Sequence, residues 1–352
     1  MQLRMLHKVL RNGPVQVVLF ILIVIFVILY YHKQYSFTST SDNNGYINMN
    51  DTNLLEDTLK DKSAVTTSTI APTVTEPEIL DPVRMIYEEG HVDVDPFICE
   101  NPYGNITLTI MVTSAVQNLR ARMDVRLTWG HWSIRNDVKI IFMVGQTSDE
   151  KVQSEVRNEQ NLYHDVVQGH FMDTYNNLTL KTVFMLEWLS INCPNTAFVL
   201  KTDEDMFINV PKLLDYLSTK DPKERTFHGR LFGNWKPDRN PKSKYYVSLN
   251  AYKDSEFPPM FSGTAYVFPG FLAHELFQAS LNHTFLKLED VFLTGLVAKE
   301  LGIGHTHWLQ FYNLGYAKLT PCNIRRVVAI HNVRKERQFE AWLKVNDMRL
   351  KC

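Results

Sequence analysis

The stretch FVLKTDEDMFINV, residues 198–210, sets Asp203, Glu204 and Asp205 inside an otherwise apolar run. Adjacent carboxylates repel, and carrying them into a pocket costs on the order of several kcal/mol per charge unless a cation pairs with them. Two carboxylates spaced D-x-D at a strand end project the same way and can hold a divalent ion. That ion can in turn bind a diphosphate and neutralise charge as the diphosphate leaves. A calcium loop of EF-hand type is excluded, because its fifth, sixth and twelfth positions would be Phe207, Ile208 and Leu214. A solvated acidic turn is the plainer alternative. Glu289 and Asp290 open the run LEDVFLTG, where a helix dipole alone would favour them. His331 follows the apolar VVAI, and a lone histidine there is more often structural. His305 and His307 in GHTHW have no acid near them in sequence and read as structural.

Elements that could position these residues alternate from residue 106 onward. ITLTIMVTS (106–114) and VKIIFMVG (138–145) read as buried strands, apolar and β-branched, and DVVQGHF (165–171) as a third. Between the first two, LRARMDVRLTWG suits a helix carrying Arg122 and Arg126 one turn apart on one face. LTLKTVFMLEWLSIN (178–192) is a helix that Asn176 or Asn177 could cap and Cys193-Pro194 would end. TAFVLKT (196–202) is the next strand, and VPKLLDYLS (210–218) the next helix, with Pro211 in its first turn. Such alternation predicts an α/β domain, a largely parallel sheet with helices on both faces. Ligands bind beyond the carboxyl ends of such strands, where Asp203 and Asp205 fall. From about residue 227 the chain changes to short aromatic strand-like runs, FHGRLFGNW, KYYVSL and TAYVFPGF, and then the helical LEDVFLTGLVAKELGI (288–303).

The whole chain of 352 residues has a formal net charge of −1 and is 45% hydrophobic, which argues against nucleic-acid binding. VQVVLFILIVIFVILYY (15–31) is about long enough for a transmembrane helix, and no small-residue cleavage site follows it. Arg4, Lys8 and Arg11 precede it and only Lys33 lies close behind, so residues 1–14 are expected in the cytosol, a type II topology. Residues 32–96 read as a luminal stem, rich in Ser, Thr, Asn and Asp over 36–80, and residues 97–352 as the folded domain. The sequons at Asn50, Asn105, Asn177 and Asn282 agree with a secretory fate. Cys99, Cys193, Cys322 and Cys352 all follow the anchor, and two disulfides in any of three pairings are open.

NNLTLKTVFMLEWLSINCPNTAFVLKTDEDMFINV resembles the central block of the β-1,3-galactosyltransferase and β-1,3-N-acetylglucosaminyltransferase family, glycosyltransferase family 31. RMDVRLTWG (122–130), FPPMFSGTAYVF (257–268) and LEDVFLTG (288–295) agree in order and spacing, so the resemblance covers roughly residues 97–345. It implies a GT-A type nucleotide-sugar-binding sheet behind one transmembrane helix and a single-pass Golgi enzyme. It implies manganese and inverting transfer from UDP-galactose, or UDP-GlcNAc, to the 3-hydroxyl of a glycan on a glycoprotein or glycolipid. Asp203, Asp205 and His331 would hold the metal; Asp203, Glu204, Asp205, Arg122 and Arg126 would face the donor. A buried pair of either arginine with Asp124 or the sheet stands beside that reading. Asp290 would be the general base, with Glu289 orienting it or binding acceptor. Asp-Glu-Asp stands where Asp-Asp-Asp is commoner, and Met260-Phe261 replaces the usual Tyr plus small residue, which bears on sugar specificity. A non-catalytic glycan-binding relative is the reading from another class, and the intact Asp203, Asp205 and Asp290 argue against it.

Overall fold

A computed structural model describes residues 79–92, 98–102, 104–312, 318–349 and 352. The apolar run 15–31, most of the stem and Asn50 lie outside them. Among the described residues no helix is long and apolar enough to cross a membrane.

The first strand is short, β1 (His91–Val92). It is followed by β2 (Ile106–Thr113), α1 (Leu119–Arg126), β3 (Val138–Gln146), α2 (Glu150–Tyr163), β4 (Val166–Met172), α3 (Leu178–Asn192) and β5 (Thr196–Asp203). Next come β6 (Phe207–Ile208), α4 (Val210–Leu217), β7 (Thr226–Phe232), β8 (Met260–Pro269) and α5 (Ala273–Asn282). A π-helical turn, Val291–Val297, leads into α6 (Ala298–Glu300), β9 (Gly304–His307), β10 (Phe311–Tyr312), α7 (Pro321–Arg326), β11 (Ala329–Ile330) and α8 (Glu336–Asn346).

Eight strands form one sheet in the order β1-β4-β3-β2-β5-β8-β7-β9, and β10-β11-β6 form a second, small one. β4, β3, β2 and β5 are parallel, as the alternation predicts. The sheet is nevertheless mixed: β8 runs antiparallel to β5, and β7 antiparallel to β8. The chain after β5 goes first through α4, then returns in β7 and β8 as an antiparallel pair, which needs no crossover helix.

The parallel strands are buried on both faces, and alternate residues feed two cores. Met111, Ile141 and Val199 face α3 and α5; Ile110, Phe142 and Leu200 face α1, α4 and α8. Helix α3 has eleven buried residues and no polar stripe, as befits a helix enclosed on all sides. The expected side-chain cap on it does not form. The Asn177 amide instead donates to the Met172 carbonyl at 2.9 Å.

Two features depart from the expected boundaries. The folded unit takes in residues read as stem: Val83 is fully buried, β1 pairs with β4, and the Gly90 amide donates to Glu187 on α3. KYYVSL is not a strand but part of a 27-residue connection, 233–259, between β7 and β8. The disulfides are Cys99–Cys193, at the end of α3, and Cys322–Cys352, which ties the C-terminus to α7.

Candidate active site

β5 ends at Asp203, and the Met206 amide donates back to the Asp203 carbonyl at 3.2 Å, closing a tight turn over 203–206. The alternation of an extended chain stops there. Asp203, Glu204 and Asp205 each meet their own partners. Asp203 Oδ1 accepts from the Thr113 hydroxyl at 2.6 Å and from Lys201 Nζ at 2.7 Å. Glu204 accepts from the Ser114 hydroxyl and the Asn118 amide, and burial pushes its carboxyl up against those donors. Asp205 Oδ2 takes both Arg334 Nη2 at 2.6 Å and Nε at 3.1 Å, with His331 Nε2 at 3.6 Å.

The small sheet explains how a histidine 126 positions later reaches Asp205. β11 pairs antiparallel with β6, Ile330 opposite Phe207, so the next residue, His331, is carried to the acidic turn. Asn332 then takes a left-handed conformation (φ 61°), which asparagine tolerates, and the Val333 amide donates to the Asp205 carbonyl at 2.8 Å. Burial works against the charge on Asp205, but His331 and Arg334 outweigh it and hold the carboxyl below its ordinary value. The Asp205 contact in turn pushes His331 up.

Asp203, Asp205 and His331 were expected to form one ligand set; Asp205 and His331 meet directly, and the charge of Asp203 also bears on His331. Among the described residues no three of His, Cys, Asp or Glu converge as a metal site. The chemistry at Asp205 nonetheless fits a divalent ion. Carboxylate plus imidazole suits manganese, and the Arg334 guanidinium already occupies the position of a cation there. The Arg334 side chain is 67% exposed.

The second pair of acids lies across Lys201. That lysine is buried, with Nζ 2.5 Å from the Gly263 carbonyl and 3.6 Å from Glu289 Oε2 as well as bonded to Asp203. Burial alone would discharge it, but Asp203 and Glu289 overcome that and push it up, so it stays cationic. Glu289 also accepts from the Tyr266 hydroxyl at 2.6 Å, and burial pushes its carboxyl up. Asp290 is held differently, by backbone: Val291 N–H donates to Oδ1 at 2.9 Å and Gly263 N–H to Oδ2 at 3.4 Å. Burial pushes Asp290 up against these donors and Lys201. Gly263 is required by closeness, since a Cβ there would lie 3.1 Å from Asp290 Cβ and from Glu289 Oε2. The π-helical turn is pinned at both ends of Thr294. Its hydroxyl donates to the Asp290 carbonyl at 2.6 Å, and its own carbonyl pairs with His305 Nε2 at 2.7 Å.

The two arginines of α1 do not line a diphosphate site. Arg122 is fully buried, bonded to Glu159 at 2.6 Å, the Ser114 hydroxyl at 2.9 Å, and the Ala115 and Val116 carbonyls. It holds the β2–α1 loop, whose Ser114 and Asn118 hold Glu204, so it acts two bonds away from the acids. Arg126 pairs with Glu159 and Asp165 and stacks on Phe142 and Tyr163. It borders a hollow of about 500 Å³ that Val138 and Asp165, at the amino ends of β3 and β4, also line. That is the opposite edge of the sheet, because α1 runs back along β2. The expected alternative, a buried pair, holds for Arg122, with Glu159 rather than Asp124 as partner.

Sequence reasoning missed Lys201, Lys181, Arg334, Thr113 and Tyr266. Lys181 is buried in α3 and bridges the Ser114 carbonyl (2.6 Å) and Asp173 (2.8 Å), steadying the same loop from the other face. A signal was present for both lysines: each stands in a wholly apolar segment, FVLKT and LTLKTVF, where a cation needs a buried acid. Arg334 carried no such mark.

With this geometry in view, the galactosyltransferase family model matches residues 120–308. Beta-1,3-galactosyltransferase 5 of Homo sapiens is 38% identical over 246 residues, 69% of this chain and 79% of that protein. Beta-1,3-galactosyltransferase 1 of Mus musculus is 35% identical over 252 residues, 68% of this chain and 73% of that protein. A solved bifunctional glycosyltransferase, WbbM, aligns with a TM-score of 0.38 at 13% identity over 71% of this chain and 51% of that one, too distant to argue from. The chain thus belongs to the galactosyltransferase family, with β-1,3-galactosyltransferases among its relatives, and is a hexosyltransferase.

Proposed function

We propose that the protein is an inverting β-1,3-galactosyltransferase with a GT-A type donor site at the carboxyl edge of β2 and β5. It would move galactose from UDP-galactose to the 3-hydroxyl of an acceptor glycan. The names of its relatives support the sugar and the linkage. The observation that carries the mechanism is Asp290, a carboxylate fixed by backbone amides, raised by burial, and facing Gly263 beside the acids of β5.

A sugar hydroxyl is a poor nucleophile until its proton is being removed. Asp290 takes that proton as the acceptor oxygen bonds to the anomeric carbon, and the bond from that carbon to the diphosphate breaks with its electron pair leaving on UDP. Glu289, tied to Tyr266 and Lys201, fixes the start of the turn on which Asp290 stands. Asp205 and His331, with Asp203 nearby, would hold a manganese ion, whose chemistry is to neutralise charge on the leaving diphosphate. Glu204 and the β2–α1 loop form the wall behind the donor.

UDP release from UDP-galactose and UDP-GlcNAc, with and without glycoside acceptors and manganese, is the direct test. Acceptor-stimulated release from UDP-galactose is expected; none from either donor would leave a glycan-binding relative as the better reading. We infer a Golgi, type II location from the 15–31 run and the sequons, with a luminal domain. Intact microsomes should then shield the domain from protease, and digestion without detergent would refute that topology.

A further inference from the structure

We propose that Tyr175 and Tyr245 form an aromatic clamp for the acceptor sugar, at the mouth of the site described above. The inference rests on the transferase reading of that site and adds the surface that receives the second substrate.

Tyr175 stands in the turn Tyr175–Asn177 between β4 and α3, at the carboxyl edge of the sheet. Tyr245 belongs to the 233–259 connection, which leaves β7 and enters β8 at that same edge, because β8 runs antiparallel to β5. In strand order β4 and β8 are four positions apart, about 19 Å at ordinary strand spacing. The two tyrosines nevertheless share one cation: Lys244 Nζ lies 5.5 Å from the Tyr175 ring centre and 4.7 Å from the Tyr245 ring centre. The connection therefore reaches back over the end of β5 to meet the turn before α3.

The strap is built to hold that position. Arg239 donates to the carbonyls of Val247 (2.8 Å), Ser248 (2.7 Å), Tyr252 (2.8 Å) and Asp254 (3.1 Å), and the Phe257 amide closes its base on Trp235 at 2.7 Å. Both rings remain about half exposed, at 45% and 49%. Burial, Tyr245, Asp290 and Asp203 push the Tyr175 phenol up to about 12, which agrees with its facing the reacting acids.

The chemistry of the occupant follows from the cation. An ammonium sits over both rings because their faces carry negative charge density. The C–H face of a pyranose presents polarised hydrogens and fits the same faces, while its hydroxyl rim stays free to meet Asp290 and the Lys244 ammonium. A saccharide is thus the class of ligand expected, entering where Lys244 now lies.

Acceptor kinetics of the full chain, with the methyl β-glycoside turned over fastest among those of glucose, galactose and their N-acetylamino counterparts, provide the test. Tyr245→Ala and Tyr175→Ala should each raise acceptor KM about tenfold, the order expected for losing one ring face. UDP release without acceptor should stay within about twofold of wild type, and the phenylalanine variants should restore KM. Tyr245 lies on the surface strap, so its variants report even if Tyr175→Ala fails to fold. Unchanged acceptor KM in Tyr245→Ala would overturn the clamp, as would an equal loss of acceptor-independent release, which would assign the rings to the donor. Saturation-transfer NMR of the same glycosides needs no turnover, so it judges the clamp even if no sugar nucleotide is consumed, a result that counts against the transferase reading alone.

Discussion

Asp205, just past the end of β5, and Asp290, at the start of the π-helical turn, are held in different ways. Asp203 is met by Lys201 of its own strand, and Asp205 by Arg334 and His331 from a distant segment. Asp290 is met by two backbone amides. A cation beside a carboxylate stabilises its charge and lowers its appetite for a proton. Burial with backbone amides as the direct donors orients a carboxylate and leaves that appetite high. The difference separates a group that holds positive charge from one that takes a proton.

The sharpest way to break that contrast is at Asp290. Asparagine keeps its shape but cannot accept the proton, and a positioned carboxylate contributes about 10²–10⁴-fold. Asp290→Asn should lose at least about two orders of magnitude in transfer, with UDP-galactose affinity held within about twofold. Asp205→Ala should show the reverse pattern, a loss of UDP affinity that depends on manganese. Isothermal titration of both variants with UDP, with and without the metal, separates them; a donor-binding defect in Asp290→Asn would erase the division.

Buried pairing can also be set against exposed pairing. Arg122→Ala leaves the enclosed Glu159 with only Arg126 as its cation, and strips the Ser114–Val116 loop of its donor. A loss of about 2–4 kcal/mol in unfolding free energy is expected. Arg225 and Glu275 make a bidentate pair whose side chains are 41% and 40% exposed, and Arg225→Ala should cost about 1 kcal/mol or less. Denaturant melts of the two variants give both numbers. Equal losses would mean that Arg122 is not the strut its bonds describe.

Legibility followed the same division. The parallel half could be read from the sequence because each strand there is a run of apolar, β-branched residues between clear helix signals. Asp203 and Asp290 stood out because charge inside apolar sequence is costly and so demands a reason. The convergence of Asp205 with His331 was legible only through the family resemblance, because it depends on a two-residue pairing between β6 and β11. The different partners of Asp203 and Asp205 could not be read, since D-x-D spacing says nothing of where the strand stops. KYYVSL misled for a related reason: its aromatics alternate like a strand, but they serve a strap bonded through Arg239.

Lys201 joins the two kinds of site, so its removal should couple them. Its charge lowers the proton affinity of both Asp290 and Glu289. With Lys201→Met that support is gone, and the pKa of Asp290 rises further. The base works only when deprotonated, so the acid limb of the kcat profile should move to higher pH, with activity lost most at low pH and least on the alkaline plateau. Lys201→Arg, which keeps the charge, should leave the limb nearer its original place. A uniform loss at every pH would make Lys201 a packing residue only.

The smallest expected effect tests whether the placement of Asp290, apart from its chemistry, matters. Gly263 on β8 lies against both acids, and a Cβ added there would stand 3.1 Å from Asp290 Cβ and 3.1 Å from Glu289 Oε2. Ordinary contact needs a few tenths of an ångström more. The Glu289 oxygen is the end of a side chain and can swing, but it is tied to Tyr266 and sits near Lys201. Asp290 Cβ moves only with the turn that Thr294 and His305 pin. The base should therefore shift slightly without leaving the site. A 1 Å misplacement costs about 10²-fold, so a shift several times smaller should lower kcat about three- to tenfold. Acceptor and donor KM should hardly change, because neither the Tyr175 ring nor the Asp205 turn is touched. Measured together, kcat and the two KM values for Gly263→Ala decide the matter. A full-rate enzyme would show that the turn absorbs the methyl and that the two amides, not the close contact, set the position of the base.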